Sequence, residues 1–153
     1  MSDGRVLVVD DEAPIRELCR VNLELAGFDV DEAADGVQAL EAVRRRRPDV
    51  VLLDLMMPNM DGWETLQRLK SDDETAAIPV ILLTARSSED DQMRGWTGGI
   101  LEFVPKPFNP QALATAVREA LEPRDPADEE ARRGRILERL AFVRDLRQGR
   151  STR

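Results

Sequence analysis

Short runs of apolar residues alternate along the chain with segments in which apolar residues recur at helical spacing. The runs predict β-strands at residues 5–9, 28–33, 50–53, 78–83 and 101–104. The periodic segments predict α-helices at residues 14–26, 37–46, 62–71, 88–96 and 110–121. Strands that alternate with helices are typical of a parallel sheet covered on both faces. The pattern therefore predicts an α/β fold, a doubly wound five-stranded parallel sheet in (βα)5 order.

A further helical segment follows the predicted sheet. We divide the chain into a domain at residues 1–122, a proline-containing linker at 123–127 and an amphipathic tail at 128–153, helical to about residue 148. Five apolar residues share one face of the tail: Ile136, Leu137, Leu140, Val143 and Leu146. A helix of this kind needs a surface for its apolar face. Three alternatives stay open: the tail packs on its own domain, pairs with a second copy or a partner helix, or leads into an output domain.

The composition fits one domain of ordinary size with a short appendage. Of the 153 residues, 42% are apolar and 34% are charged, which is enough apolar surface for a core. The chain has no His, which excludes His-based acid–base catalysis and His metal sites. Cys19 is the single cysteine, so an internal disulfide and a cysteine zinc site are excluded as well. A metal would have to be a hard cation held by carboxylates.

The lengths of the apolar runs and the charge distribution indicate where the protein is located and which partners it binds. No apolar run is long enough to cross a bilayer and no signal peptide is recognisable, so we expect a cytoplasmic protein without a membrane span. The net charge of −8 is uneven, because residues 123–153 carry nine Arg against six acidic residues. The main body is therefore strongly acidic, and we expect no direct binding of nucleic acid by it.

Polar residues of chemical interest stand where the predicted strands end. Asp10 and Asp11 follow the first strand, and Asp54 follows the third. Thr84 ends the fourth strand, and Lys106 lies just beyond the fifth. In doubly wound sheets the carboxyl ends of the strands form the ligand site. Three neighbouring carboxylates repel one another, and a bound Mg²⁺ or Mn²⁺ ion would relieve that repulsion.

Lys106 favours phosphoryl chemistry at this edge. The chain has 20 Arg and only two Lys, so an ammonium retained beside the carboxylates suggests a point charge that a planar guanidinium would not supply. A divalent cation, this ammonium and the Thr84 hydroxyl would together cradle a phosphoryl group on Asp54. An Asp carboxylate can accept that group as a nucleophile, which gives an aspartyl phosphate that water later removes.

Four motifs occur in a fixed order along the predicted domain. They are VVDDE at 8–12, RPDVVLLDLMMPNMDG at 47–62, VILLTA at 80–85 and FVPKPF at 103–108. Together they resemble the motifs of response regulator receiver domains, the CheY-like superfamily of two-component signal transduction. The resemblance covers about residues 4–122 and implies the flavodoxin-like receiver fold.

The resemblance implies an acceptor and a metal site. Asp54 would be the phosphoacceptor. Mg²⁺ would be bound directly by Asp11, by Asp54 and by the main-chain carbonyl of Met56, while Asp10 would assist through water. Mn²⁺ would be a possible substitute for Mg²⁺.

The resemblance also implies a group of residues that sense the phosphoryl group. Lys106 would contact the phosphoryl oxygens, and Thr84 would be the hydroxyl that moves toward them. Phe103 would take the place of the aromatic switch residue and turn inward as Thr84 moves. The bond between Lys106 and Pro107 would be cis. Arg86 flanks the site, as Met56 does, and should influence hydrolysis.

These roles describe a signalling switch, which catalyses only its own phosphotransfer and dephosphorylation. The donor would be a sensor histidine kinase or a phosphotransfer protein. No DNA-binding output module is recognisable after the predicted domain, so we expect output through a downstream protein or through self-association. A homodimer would use the tail or the face of the fourth helix, fifth strand and fifth helix.

Three other functions compete with this one. A haloacid dehalogenase-type phosphatase also uses an Asp nucleophile, but it requires a second Asp where this chain has Met56. A degenerate receiver, acting as a binding module, would lack acidic or Lys positions that are present here. A flavodoxin-like flavin binder would have Ser, Thr and Gly in the first loop, where Asp-Asp-Glu would repel a phosphate.

Overall fold

The computed structural model describes residues 2–85 and 88–149, which form five strands and six helices. The strands are β1 (Arg5–Val9), β2 (Asp29–Ala33), β3 (Val50–Asp54), β4 (Val80–Thr84) and β5 (Glu102–Pro105). The helices are α1 (Ala13–Leu25), α2 (Gly36–Arg45), α3 (Gly62–Ser71), α4 (Glu89–Thr97), α5 (Pro110–Leu121) and α6 (Pro126–Arg147). The predicted strand and helix order is confirmed, with ends that move by one or two residues.

All five strands run parallel in the order β2-β1-β3-β4-β5. The chain therefore winds outward to one side of β1 through β2 and to the other side through β3, which makes the β1/β3 junction the topological switch point. Val9 pairs with Leu53 at this junction, so the residues that follow β1 lie beside the end of β3. The predicted doubly wound parallel sheet is confirmed.

Alternate strand residues enter two separate apolar layers because successive side chains of a strand point to opposite faces. In β3, Val50 and Leu52 face a layer with α1 and α5, whereas Val51 and Leu53 face a layer with α2, α3 and α4. The three central strands are buried along almost their whole length. This rigid double layer holds the carboxyl ends of the strands in fixed positions.

The sixth helix begins two residues earlier than predicted. Pro126 occupies its first turn, where a missing N–H costs nothing, and the Asp125 side chain caps it by accepting from the backbone N–H of Ala127 at 2.8 Å. Pro126 therefore starts the helix instead of separating it from the domain. The predicted linker at 123–127 is correspondingly shorter.

The sixth helix packs on the sheet domain, so the first of the three alternatives for the tail describes this structure. Ile136, Leu137 and Leu140 lie against the layer on the α4 side. Leu146 was expected on the same face, but 57% of its surface is exposed. In the part of the chain that the structure describes, no helix has the length and hydrophobicity needed to cross a membrane.

We predict that Gly62→Ala destabilises the fold and that Gly134→Ala does not. A Cβ at Gly62 would lie 2.5 Å from the Asp54 carbonyl oxygen and 2.6 Å from the Leu55 Cα, so α3 would have to move away from β3. We expect a loss of about 1–3 kcal/mol in the free energy of unfolding, measured by urea denaturation.

The matched control lies in α6. A Cβ at Gly134 meets nothing within 4 Å, and Ala is the better helix former by about 0.5–1 kcal/mol. Gly134→Ala should therefore keep or raise stability. Equal stability of the two variants would show that the close approach of α3 to β3 is not a constraint.

Candidate functional site

Three acidic side chains meet where β1 ends. The carboxylate oxygens of Asp10, Asp11 and Glu12 lie within 4.8 Å of one another. Asp10 is fully buried, whereas Asp11 and Glu12 are exposed. The backbone N–H of Glu12 donates to the Asp10 carboxylate at 2.9 Å, which turns the chain sharply after β1. The loop therefore holds one carboxylate inside the fold and offers two to solvent.

Lys106 joins this cluster to the proposed acceptor. Its Nζ lies 2.6 Å from the nearer carboxylate oxygen of Asp10 and 3.5 Å from that of Asp54. The position follows from the sheet, because the Lys106 N–H donates to the Thr84 carbonyl at 2.8 Å and so continues the β4–β5 ladder. Burial disfavours the ammonium, but the hydrogen bond and charge of Asp10, with Asp54 and Glu12, outweigh it and raise the Lys106 pKa.

The negative charge of the buried Asp54 carboxylate is only partly compensated by its neighbours. It is 6% exposed at the end of β3. Burial and then the charge of Asp10 raise its pKa from 3.8 to about 6, although the Lys106 charge and the Met56 N–H act in the opposite direction. Ionisation of Asp54 in the folded state therefore has an electrostatic cost, which a cation at this site would remove.

The loop from β3 to α3 is tied down beside Asp54. Asn59 adopts a φ of 68°, in the left-handed region, and its amide donates to the Asp35 carboxylate at 3.0 Å. This contact attaches the loop to the N-terminus of α2. At the end of the loop, the Asp61 side chain caps α3 by accepting from the Glu64 N–H at 2.8 Å. Met56 lies earlier in the loop, two residues after Asp54, and its N–H donates to the Asp54 carboxylate at 3.4 Å.

The predicted sensing residues lie on the neighbouring strands. Thr84 is buried at the end of β4. Phe103 is half-buried on β5, with its ring centroid 6.1 Å from that of Trp96 on α4. The peptide bond between Lys106 and Pro107 is cis. Arg86, which was expected to flank the site, lies outside the described residues.

Arg16 is a supporting residue that the sequence analysis missed. Its guanidinium donates to the main-chain carbonyl of Asp10 at 2.7 Å, and its Nε lies 3.6 Å from the Glu32 carboxylate on β2. The contact holds the acidic loop on α1. Its only sequence signal is a basic residue one helical turn beyond the acidic motif.

The donor set at this edge fits Mg²⁺. Carboxylate oxygens are the ligands that this ion prefers, and the residues that could supply them are Asp10, Asp11 and Asp54. Glu12 belongs to the same cluster and was not among the predicted ligands. Burial, and then the charge of Asp10, raise the pKa of Asp54, so a cation bound beside it would favour the ionised carboxylate.

The comparisons with known proteins agree with this arrangement. The sequence profile of the response regulator receiver domain matches residues 6–118. The chain belongs to this receiver domain family. Receiver domains bind Mg²⁺ at an acidic pocket of this kind. They are domains of two-component signalling proteins and not enzymes in the ordinary sense.

Solved receiver structures share the fold. Chemotaxis protein CheY4 of Vibrio cholerae is 33% identical, with a TM-score of 0.74 over 77% of this chain and 98% of that chain. The N-terminal domain of a response regulator receiver protein from Methanoculleus marisnigri is 38% identical, with a TM-score of 0.66 over 80% of this chain and all of the other.

The curated relatives are longer proteins. The phosphate regulon transcriptional regulatory protein PhoB of Pseudomonas aeruginosa is 43% identical over 82% of this chain and 55% of that protein. The DNA-binding dual master transcriptional regulator RpaA of Synechocystis is 38% identical over 87% of this chain and 55% of that protein. The chain thus spans about half the length of these relatives. Their names describe regulators of transcription, one of them DNA-binding, which conflicts with the expectation that no DNA-binding output is involved.

We predict that Asp54→Asn stabilises the protein in the absence of divalent cations. The folded-state pKa of Asp54 is about 6 against an ordinary 3.8, so the ionised group destabilises the folded state above about pH 6. Each tenfold change in an acidity constant corresponds to about 1.4 kcal/mol, and the loss of the Lys106 contact offsets part of the gain, so the variant should gain about 1–2 kcal/mol at pH 7.5. The gain should disappear as the pH falls from 6 to 4, where wild-type Asp54 becomes protonated.

Urea denaturation at several pH values, with a chelator present, measures this difference. Asp73→Asn is the matched control because Asp73 is exposed on the surface, and it should change stability by no more than about 0.5 kcal/mol. A gain at Asp54 that stays constant with pH would contradict the electrostatic explanation.

Proposed function

We propose that this chain is a phosphorylation-dependent switch, with Asp54 as the phosphoacceptor. The observation that carries the proposal is the position of Lys106, whose Nζ lies 2.6 Å from Asp10 and 3.5 Å from Asp54. One ammonium thus reaches both the buried carboxylate of the acidic loop and the carboxylate that would take the phosphoryl group. Such a juxtaposition supports phosphoryl transfer, which depends on positioning and charge neutralisation.

The reaction we propose is an in-line transfer to Asp54. A carboxylate oxygen of Asp54 attacks phosphorus, the new O–P bond forms, and the N–P bond of a phosphohistidine breaks. The histidine leaves with the bonding electron pair and takes up a proton. The donor is a sensor histidine kinase or a phosphotransfer protein, since this chain contains no His of its own.

The groups around Asp54 have distinct tasks. We assign to Lys106 the binding of a phosphoryl oxygen, because its Nζ lies 3.5 Å from the Asp54 carboxylate. We assign to the Thr84 hydroxyl the response to that group, because β4 pairs with β3. Asp10, Asp11, Asp54 and the Met56 carbonyl would hold Mg²⁺, which when bound neutralises charge on the transferred group. Hydrolysis by water would release inorganic phosphate and restore the carboxylate.

We propose output through a protein contact of the switch in the cytoplasm. The acidic body supports this assignment, because it would repel a nucleic acid backbone. The relatives PhoB and RpaA favour a second possibility, in which a receiver of this kind controls DNA binding by a longer protein. Either output would depend on the same phosphoryl group at Asp54.

We predict a gain of one phosphoryl group on incubation with a small acyl phosphate and Mg²⁺. Asp54→Asn should abolish the gain while preserving the fold, and a chelator should prevent it in the wild type. Intact mass spectrometry measures the gain, and Asp73→Asn should be phosphorylated normally. Labelling that persists in Asp54→Asn would place the acceptor elsewhere.

We further predict that Lys106→Arg slows phosphorylation about tenfold or more. Arg retains the charge, but its planar guanidinium is wider than an ammonium that is only 14% exposed between two carboxylates. A charge-conserving substitution away from the site is the control. Arg68 lies on the exposed side of α3 and pairs only with Glu64 of the same helix among the described residues, so Arg68→Lys should leave the phosphorylation rate unchanged. Equal rates for both variants would contradict the role of Lys106.

A further inference from the structure

The sixth helix makes a specific polar contact with the start of β5. The Arg132 guanidinium donates to the Leu101 carbonyl at 3.4 Å and lies 3.4 Å from the Glu102 carboxylate. The same guanidinium stacks over the ring of Trp96 at 5.4 Å from the centroid. Arg132 therefore binds α4 and β5 together. The family match ends at residue 118, before this helix begins.

A second polar contact holds the other end of the helix. Arg144 donates to the Met93 sulfur at 3.4 Å and lies 3.9 Å from the Asp90 carboxylate. Since Arg132 lies near Trp96 and Arg144 lies near Met93, α6 runs antiparallel to α4. We call the surface formed by Asp90, Met93, Trp96 and the first residues of β5 the α4–β5 surface.

Between Arg132 and Arg144, the interface of α6 with the sheet domain is weak. Ile136, Leu137 and Leu140 lie on the domain, but no residue of α6 is fully buried. Arg133 Nε is buried with no hydrogen-bond partner in the described part of the chain, which disfavours the docked helix. Burial and then the nearby charge of Arg133 lower the pKa of Lys70 to about 8, so two cationic side chains also oppose each other here. Such an interface is suited to reversible docking.

The groups that bind Arg132 also contact Phe103. One carboxylate oxygen of Glu102 lies near Arg132, and the other accepts from the Phe103 backbone N–H at 3.0 Å. The Trp96 ring contacts both the Arg132 guanidinium and the Phe103 ring, and the two rings meet in a T-shaped arrangement. A movement of Phe103 toward Thr84 would therefore disturb both partners of Arg132 at once.

We propose that α6 is an internal ligand of the α4–β5 surface and that phosphorylation of Asp54 releases it. The inference rests on the proposed function, because it takes the movement of Thr84 and Phe103 as its trigger. Release frees a surface that fits one amphipathic helix with an apolar stripe and an Arg near each end. By reciprocity, docking of α6 opposes phosphorylation to the same extent that phosphorylation opposes docking.

Hydrogen exchange followed by mass spectrometry tests the release in the full chain. Incubation with a small acyl phosphate and Mg²⁺ should speed exchange of the α6 amides about tenfold or more, while β1 and β3 stay protected. The Asp54→Asn protein with the same additions should show no change. Intact mass of the same samples reports phosphorylation independently. An unchanged mass would overturn the proposed function, whereas a gain in mass with unchanged α6 exchange would overturn this inference alone.

Substitutions at both ends of α6 test the reciprocal effect. Arg132→Ala and Arg144→Ala should each raise the rate of phosphorylation by about three- to tenfold, because weaker docking increases the population of the undocked conformation that accepts the phosphoryl group. Arg144 has no contact with Glu102 or Phe103 among the described residues, so its effect would come from docking. Arg135→Ala is the control, because Arg135 is exposed on the opposite side of the helix. Equal rates for all three variants would overturn the proposal.

Discussion

The close contact between Lys106 and Asp10 is the interaction on which the site depends. A parallel sheet brings the carboxyl ends of its strands to one edge, so the acidic residues at the ends of β1 and β3 must meet there. Asp10 is fully buried, and a buried charge is tolerated only with a partner. Lys106 supplies that partner from 96 residues further along the chain, which couples the geometry of the acidic loop to the position of β5.

Strand β5 connects the carboxylate site with the surface on which α6 packs. At its end, Lys106 contacts the carboxylates; near its start, Glu102 contacts Arg132 of the sixth helix. Phe103 lies between them and packs on Trp96. A strand of four residues is thus in contact with the proposed acceptor region and with the surface under α6. Coupling between the two follows from shared contacts and needs no long pathway.

The fold and much of the site could be predicted from sequence, because apolar runs and their polar ends are local signals. The structure brings Asp10, Asp54 and Lys106 together at one edge, which the parallel topology requires of strand ends. The role of Pro126 was missed, because a proline that ends one helix and one that starts the next look alike without the Asp125 cap. The docking of α6 was left open, because periodicity shows that a helix has an apolar face but not which surface receives it.

The two buried carboxylates differ in how closely they contact the Lys106 ammonium, and this difference affects their reactivity. Asp10 has the ammonium at 2.6 Å and a backbone N–H at 2.9 Å, so its charge is well compensated. Asp54 has the same ammonium at 3.5 Å and a backbone N–H at 3.4 Å, and its pKa rises to about 6. A carboxylate that is compensated by short contacts is a poor nucleophile, because attack would break them. Asp54 has weaker contacts to lose, which supports the proposal that Asp54, rather than Asp10, is the acceptor.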